Sequence, residues 1–122
     1  RRLVLVALGG SIGAAARYAL SLFMKRFPGG LPYGTLTVNP LGSLLIGFFL
    51  GHESLAAEAA RDWWLLLVPG FLGAFTTFST FSYETFTMLA RNEFHLAGVN
   101  VGLNLLFGLT GVWTGYLLGK AL

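Results

Sequence analysis

The feature that most constrains this chain is a polar, glycine-containing run inside a segment apolar enough to cross a bilayer. The run extends from Gly70 to Ser82 and contains two glycines, three threonines and two serines. In hydrocarbon every backbone N–H and C=O needs a partner, so a loosened helix is tolerated only where it lines protein or a water-filled cavity. Interruptions of this kind coordinate ions in transporters. We therefore predict a helix that is broken near mid-membrane, in a chain that moves or binds an ion.

Four apolar stretches account for most of the chain. Of 122 residues, 55% are hydrophobic and 11% are charged, which leaves too little polar surface for a soluble domain of this length. We predict an all-α membrane protein with one domain and four transmembrane helices, at about residues 3–27, 33–51, 63–90 and 96–119, each close to the roughly 20 residues that cross the hydrocarbon. The first stretch has no Ala-x-Ala-type cleavage site followed by a mature domain, so we interpret it as a span. The predicted location is the plasma or inner membrane.

The basic residues are almost equally divided between the two sides of the membrane. With four spans, one side carries Arg1, Arg2, Arg61 and Lys120, and the other carries Lys25, Arg26 and Arg91. Because the Lys and Arg bias fixes orientation, this balance indicates insertion in both orientations and assembly as an antiparallel pair. A chance balance among few residues is the alternative. The net charge of +3 fits contact with anionic lipid rather than with nucleic acid.

Three asparagines lie inside apolar spans, where an unpaired amide is costly. Asn39 is in the second stretch, and Asn100 and Asn104 are four residues apart in the fourth. Their N–H groups are candidate donors for an anion, and interhelical hydrogen bonds, typically worth about 0.6 kcal/mol, are the alternative. Pro40 follows Asn39 and cannot donate to the carbonyl four residues earlier, so the second helix either begins there with Asn39 as its cap or kinks.

Two phenylalanines and two hydroxyl side chains follow the glycines of the third span. Phe78 and Phe81 are three residues apart and project to one side if the segment after the interruption is helical. An aromatic ring has a positive edge, so rings presented edge-on stabilise a small anion without a full charge that would trap it. Ser79 and Thr80 add hydroxyl groups beside the rings. Side-chain packing is the alternative role for each ring.

Arg17 and Glu84 are the charged residues that lie well inside spans. A charge inside a membrane is by default either functional or paired. Arg17 is a candidate for the floor of an aqueous vestibule that attracts anions. The alternatives are that it snorkels to the interface or forms an ion pair with Glu84.

Small residues recur at helix-packing spacing in three spans. They are Gly9 and Gly13 in the first span, Gly47 and Gly51 in the second, and Gly111, Gly115 and Gly119 in the fourth. Such stripes let membrane helices approach closely, because packing rather than hydrophobicity drives their association. We predict that these glycines are structural.

Three motifs, in order along nearly the whole chain, resemble those of the Fluc family of fluoride channels. The first is Gly9-Gly10-Ser11-Ile12-Gly13-Ala14-Ala15-Ala16-Arg17-Tyr18, and the second is Gly34-Thr35-Leu36-Thr37-Val38-Asn39 with Gly42 and Gly47. The third extends from Gly70-Phe71-Leu72-Gly73 through Thr76-Thr77-Phe78-Ser79-Thr80-Phe81-Ser82 to Glu84 and is the most specific. The resemblance implies an antiparallel homodimer of four-helix subunits with two fluoride pores, although a sister subunit could replace the second copy.

The resemblance also implies roles for individual residues. Phe78 and Phe81 would be the ring-edge contacts of fluoride, and Asn39 would be a donor that lines the pore. The backbone carbonyls of Gly73 and Thr76 from both subunits would hold a structural Na⁺ at the dimer axis, since neutral carbonyls suit a hard cation. The remaining positions are Ser79 and Thr80 beside the ion path, Asn100 and Asn104 in place of the family's tyrosine and serine, Arg17 at the vestibule and Glu84 near the end of the pore.

The resemblance therefore implies a passive channel that lets accumulated fluoride leave a microbial cell, and the sequence does not predict an enzyme. It contains no paired carboxylates or nucleophile–base set, and its first glycine motif lacks the Lys-Ser/Thr of a nucleotide-binding loop. A small dual-topology, proton-coupled exporter of drugs or cations is the alternative. Such exporters need a carboxylate, commonly in the first span; this first span has none, so Glu84 would have to substitute. A second alternative is an assembly factor that transports nothing and uses its polar residues only to join helices.

Overall fold

The computed structural model describes residues 1–122, and their secondary structure is entirely helical. Four helical stretches are long and apolar enough to cross a membrane: α1 (Arg2–Met24), α2 (Tyr33–Gly51), a composite third stretch (Asp62–Ala90) and α7 (Phe94–Ala121). One turn of helix, α3 (Glu53–Ala56), lies in the connection before the third stretch. The all-α class and the four spans predicted from the sequence are confirmed. The predicted and observed limits differ most at the end of the first span, which was predicted at residue 27 and ends at Met24.

The third stretch changes its helical form several times. It begins as α4 (Asp62–Leu65), continues as a π-helical segment (Leu66–Leu72) that contains Pro69, and passes into the short α5 (Gly73–Phe75). Because proline cannot donate the usual helical hydrogen bond, a change of helical form around Pro69 is expected. Two extended residues follow, Thr76 with φ −87° and ψ 153° and Thr77 with φ −151° and ψ 126°. The chain then resumes as α6 (Phe78–Ala90).

The first turn of α6 has a side-chain cap. Thr77 Oγ1 accepts the N–H of Thr80 at 3.2 Å, which satisfies one of the donors that a helix leaves free in its first turn. The regular helical hydrogen bonding is therefore interrupted at Thr76 and Thr77 and restarts with a formed cap. The depth of this interruption in a bilayer stays a prediction.

α2 and α7 form the most extensive helix pair of the protein. Gly47 and Gly51 of α2 lie directly against backbone carbonyls of α7, and Gly115 and Gly119 of α7 lie directly against carbonyls of α2. At each of these positions a Cβ atom would overlap a carbonyl group of the other helix. The contact is thus reciprocal, and the predicted structural role of these glycines is confirmed.

α1 packs mainly against the first half of the third stretch. Gly9 and Gly13 lie against the carbonyls of Leu66 and Phe71, which are in the π-helical segment. The second half of the third stretch, α6, packs instead on α7. The two sides of the interruption are consequently supported by different helices.

Pro40 lies inside α2, which begins at Tyr33. The alternative in which the second helix starts at Pro40 with Asn39 as its cap is therefore wrong. The reason is that proline removes only one donor, whereas the turns before it bury Thr35 and Val38 against the rest of the protein. The helix gains more from that packing than it loses at the proline.

Most of the apolar surface of the chain faces outward. Only 17 of the 122 residues are buried, and the buried apolar residues are Val38, Trp64, Leu72, Phe75, Met88 and Ala97. Large apolar side chains such as Leu109 and Trp113 are about 70% exposed. Lipid covers such surfaces in a protein whose helices are long enough to span the hydrocarbon. The chain is accordingly a multi-pass membrane protein.

We expect Gly115→Ala to destabilise the protein by about 1–3 kcal/mol, the usual cost of overpacking, because the new methyl group overlaps the Leu44 carbonyl. Gly102→Ala is the matched control in the same helix, since an added Cβ there meets no atom within 4 Å. The Tm of each purified variant in detergent should fall for Gly115→Ala and not for Gly102→Ala. Equal Tm values for the two variants would contradict the packing role of Gly115.

Candidate functional site at the interruption of the third span

Asn39 holds the interruption with a pair of hydrogen bonds. The N–H of Thr77 donates to Asn39 Oδ1 at 2.8 Å, and Asn39 Nδ2 donates to the carbonyl of Thr77 at 3.0 Å. The side-chain amide therefore replaces the helical partners that Thr77 has lost, as an interrupted backbone in hydrocarbon requires. Asn39 Nδ2 also donates to Asn104 Oδ1 at 3.4 Å. The sequence-predicted Asn39 is thus at the interruption, with acceptors for its N–H groups within the same protomer.

Asn104 and Asn100 extend this network across three helices. Asn104 Nδ2 donates to the backbone carbonyl of Asn100 at 2.8 Å and to its Oδ1 at 3.1 Å, and Asn100 Nδ2 donates to Thr85 Oγ1 at 2.9 Å. Both asparagines are buried. The interhelical bonding that was the alternative for these amides is therefore present in the single protomer, where it joins α2, α7 and α6.

Phe78 and Phe81 lie on the same side of α6, as the spacing predicts. Their ring centroids are 5.5 Å apart with an angle of 54° between the ring planes. Phe78 is 76% exposed and Phe81 is half-buried. The hydroxyl of Thr77 lies 3.3 Å from that of Ser79 and donates to that of Thr80 at 3.2 Å. The start of α6 therefore presents aromatic rings and hydroxyl groups together.

An open cavity of about 230 Å³ lies beside the interruption. Its lining residues are Asn39, Ser43, Ile46, Thr76, Thr77 and Phe78. The cavity brings amide, hydroxyl and ring groups to one place without a charged side chain in its wall. A polar wall without a full charge suits an anion that must be bound and then released.

Arg17 lies beside the interruption, where its Nε donates to the carbonyl of Ala74 at 3.2 Å. It forms no ion pair with Glu84, so that alternative is wrong in the protomer. The two ion pairs of the chain join Arg1 to Asp62 and Arg61 to Glu58. The physical reason is that α1 packs on the segment before the interruption, whereas Glu84 belongs to α6, which packs on α7. Arg17 therefore brings positive charge close to the interrupted backbone.

Glu84 lines a second cavity, of about 280 Å³, at one end of the helices. The cavity lies between the end of α1, the connection that follows it and the start of α2, and its wall includes Lys25, Tyr33 and Thr35. The Oε1 atom of Glu84 is buried without a hydrogen-bond partner. This location is compatible with the end of an ion path, and the role of Glu84 stays a prediction.

The predicted Na⁺ ligands are the carbonyl of Gly73, three residues before the interruption, and the carbonyl of Thr76, within it. In a continuous α-helix the N–H groups four residues later would bond to them. Here the N–H of Thr77 donates to Asn39 Oδ1 and the N–H of Thr80 donates to Thr77 Oγ1. Gly73 is exposed, and an added Cβ there would meet only the Val68 carbonyl oxygen, at 3.8 Å. Carbonyl oxygens that have lost their usual donors fit a hard cation.

Sequence reasoning missed two residues that shape the site. Thr77 bonds to Asn39 through its backbone and caps α6 through its side chain. Thr85 accepts a hydrogen bond from Asn100, its counterpart across the connection between α6 and α7. The sequence does indicate Thr85, because residues at nearly equal distances from a tight connection lie side by side in two antiparallel helices, and Thr85 and Asn100 are such a pair. The signal for Thr77 was its position three residues before Thr80, the usual spacing of a cap.

Comparison with known proteins identifies the family of the chain. Residues 4–116 match the family described as CrcB-like protein, Camphor Resistance (CrcB). A relative from Methanococcus maripaludis, named fluoride-specific ion channel FluC, is 46% identical over 113 residues, which cover 92% of this chain and 89% of the relative. Proteins of the same name from Clostridium perfringens and Photobacterium profundum are 44% identical over 120 residues (98% and 94% covered) and 43% identical over 114 residues (93% and 90% covered).

The matched region includes all three motifs on which the resemblance to fluoride channels was based. The resemblance is therefore confirmed by sequence identity along nearly the whole chain. This chain belongs to the CrcB-like family, together with relatives that are named fluoride-specific ion channels.

Proposed function

We propose that this protein is a fluoride-selective ion channel through which fluoride leaves the cell passively. Family membership and the names of its relatives support this function. The structural observation that carries the proposal is the open cavity at the interruption, which Asn39, Thr77 and Phe78 line together. Fluoride is strongly hydrated, so a pore must replace water with several fixed donors and still release the ion. Neutral hydroxyl and ring-edge groups bind an anion without trapping it, and the Asn39 N–H groups, which donate to Thr77 and Asn104 in the protomer, would have to be shared with the ion.

The proposed ion path follows the outer side of α6. Phe78 and Phe81 offer their positive ring edges to fluoride, and Ser79 and Thr80 offer hydroxyl groups between them. Asn39 lines the side toward α2 and α7, and Asn100 and Asn104, which are buried in the protomer, lie behind it and hold its amide through hydrogen bonds. Arg17 raises the local concentration of anions at the vestibule, and Glu84 marks the far end of the path.

The proposal includes an antiparallel homodimer with two pores. The balance of Lys and Arg between the two sides supports dual insertion. The small core and the exposed Gly73 leave apolar surface for a second copy at the interruption. In that arrangement the carbonyls of Gly73 and Thr76 from both copies would hold a Na⁺ ion, which supplies positive charge between the two pores.

The direct test uses purified protein in vesicles loaded with potassium fluoride. After valinomycin sets the membrane potential, we expect rapid fluoride efflux, measured with a fluoride electrode, that does not change when a pH gradient is imposed. If the protein is a proton-coupled exporter, the efflux should follow the pH gradient. If it is an assembly factor, the efflux should not exceed that of fluoride-loaded vesicles without protein. Either of those results would overturn the channel proposal.

We expect Phe78→Ile and Phe81→Ile to slow fluoride efflux by about tenfold or more, because isoleucine fills similar volume without a ring edge and a tenfold change corresponds to about 1.4 kcal/mol. Phe86→Ile is the matched control, since Phe86 is also an exposed phenylalanine of α6 but lies beyond Glu84, the far end of the proposed path. The measurement is the initial efflux rate per protein. Unchanged rates in the Phe78 and Phe81 variants would exclude the ring-edge contacts even if the channel function stands.

A further inference from the structure

We propose that Asn39 and Thr77 are positioning residues that keep the Gly73 and Thr76 carbonyls available to a cation by taking up the N–H groups that would otherwise bond to them. This inference rests on the cation site of the proposed function. The pore-lining role predicted for Asn39 concerns its N–H groups as donors to fluoride. The present inference concerns its hydrogen bonds to the backbone of Thr77 and their effect on the carbonyl of Gly73. It also gives Thr77 a role for which the sequence analysis provided none.

The first diverted donor is the N–H of Thr77. In a continuous α-helix this group would bond to the carbonyl of Gly73, four residues earlier. Instead it donates to Asn39 Oδ1 at 2.8 Å, while Asn39 Nδ2 donates back to the Thr77 carbonyl at 3.0 Å. A side chain from α2 therefore holds Thr77 in its extended conformation and separates it from Gly73.

The second diverted donor is the N–H of Thr80. Its partner in a continuous α-helix would be the carbonyl of Thr76. It donates instead to Thr77 Oγ1 at 3.2 Å, the cap of α6. The Thr76 N–H and hydroxyl both donate to the Leu72 carbonyl at 3.1 Å, which fixes the peptide before the interruption. The two carbonyls predicted to bind the cation are thus the two whose usual donors are captured by neighbouring side chains.

The energetic argument concerns competition for the same oxygen atoms. A carbonyl that accepts a backbone N–H offers less electron density and less room to a cation, whereas a carbonyl without that donor is costly in hydrocarbon unless something else binds it. Asn39 and Thr77 create this unsatisfied state, and a hard cation relieves it. The same two residues, Asn39 and Thr77, therefore account for both the interruption and the cation site.

The test measures the Tm of the purified protein in detergent as Na⁺ replaces choline at constant ionic strength. A ligand that binds only the folded state raises Tm with its concentration, so the native protein should show a Na⁺-dependent rise. In Thr77→Val, which keeps the β-branched shape but removes the acceptor, we expect the Na⁺ concentration for half the effect to increase about tenfold or more. Thr77→Ser keeps the hydroxyl and should retain the native response.

Asn39 provides an independent pair of variants. Asn39→Leu removes both bonds to Thr77 and should weaken the Na⁺ response, whereas Asn39→Asp keeps an acceptor for the Thr77 N–H and should retain it. Asn104→Leu is the matched control, because Asn104 belongs to the same network but makes no hydrogen bond to Thr77. The Asp variant separates the two roles of this position, since it removes the amide N–H groups of the pore-lining role but keeps an acceptor for the Thr77 N–H.

A native Na⁺ response in both Thr77→Val and Asn39→Leu would overturn the inference and leave the proposed function intact. A native protein whose Tm ignores Na⁺ but which still conducts fluoride would overturn the inference together with the cation site, and not the channel. Loss of the response in the Val and Leu variants with retention in the Ser, Asp and Asn104→Leu variants would support it.

Discussion

The structure depends on how one interrupted stretch of backbone satisfies its hydrogen bonds inside a membrane-spanning helix. Water is absent from the hydrocarbon, so each N–H and C=O that leaves the helical pattern needs a protein partner or an ion. Asn39 supplies both a donor and an acceptor to Thr77, and Thr77 in turn caps α6. Without these side chains the extended residues would be costly, and the third stretch would gain by closing into a continuous helix.

The packing of the other helices brings the required groups to this point. Glycines allow the backbones of α2 and α7 to touch, which places Asn39 and Asn104 within hydrogen-bonding distance. The same close approach leaves little room for a core, and apolar side chains face outward to lipid. Amides on α2 and α7 therefore fix one wall of the proposed path, whereas the rings and hydroxyls of α6 provide its open side.

The sequence predicts the parts of this structure that follow from local pattern. Four apolar stretches of sufficient length establish the spans, and glycine spacing establishes which helix faces touch. The interruption follows from glycine and hydroxyl content between Gly70 and Ser82, and the family from three motifs. The hydrogen-bond partners of the polar residues could not be predicted from the sequence. Arg17 and Glu84 are a plausible ion pair by charge alone, but helix packing places Arg17 beside the carbonyl of Ala74. The continuation of α2 through Pro40 could not be predicted from the sequence either, since it depends on burial against other helices.

The central claim is that two inverted copies meet where their third spans are interrupted. The chain contains no cysteine, so a single cysteine can report this meeting in membranes. An added side chain at Gly73 has open space in the protomer, as does one at Gly98 near the start of α7. Under mild oxidation the account predicts a disulfide-linked dimer for Gly73→Cys and none for Gly98→Cys, which antiparallel copies place on opposite sides of the membrane. A linked dimer for Gly98→Cys with only monomer for Gly73→Cys would contradict it.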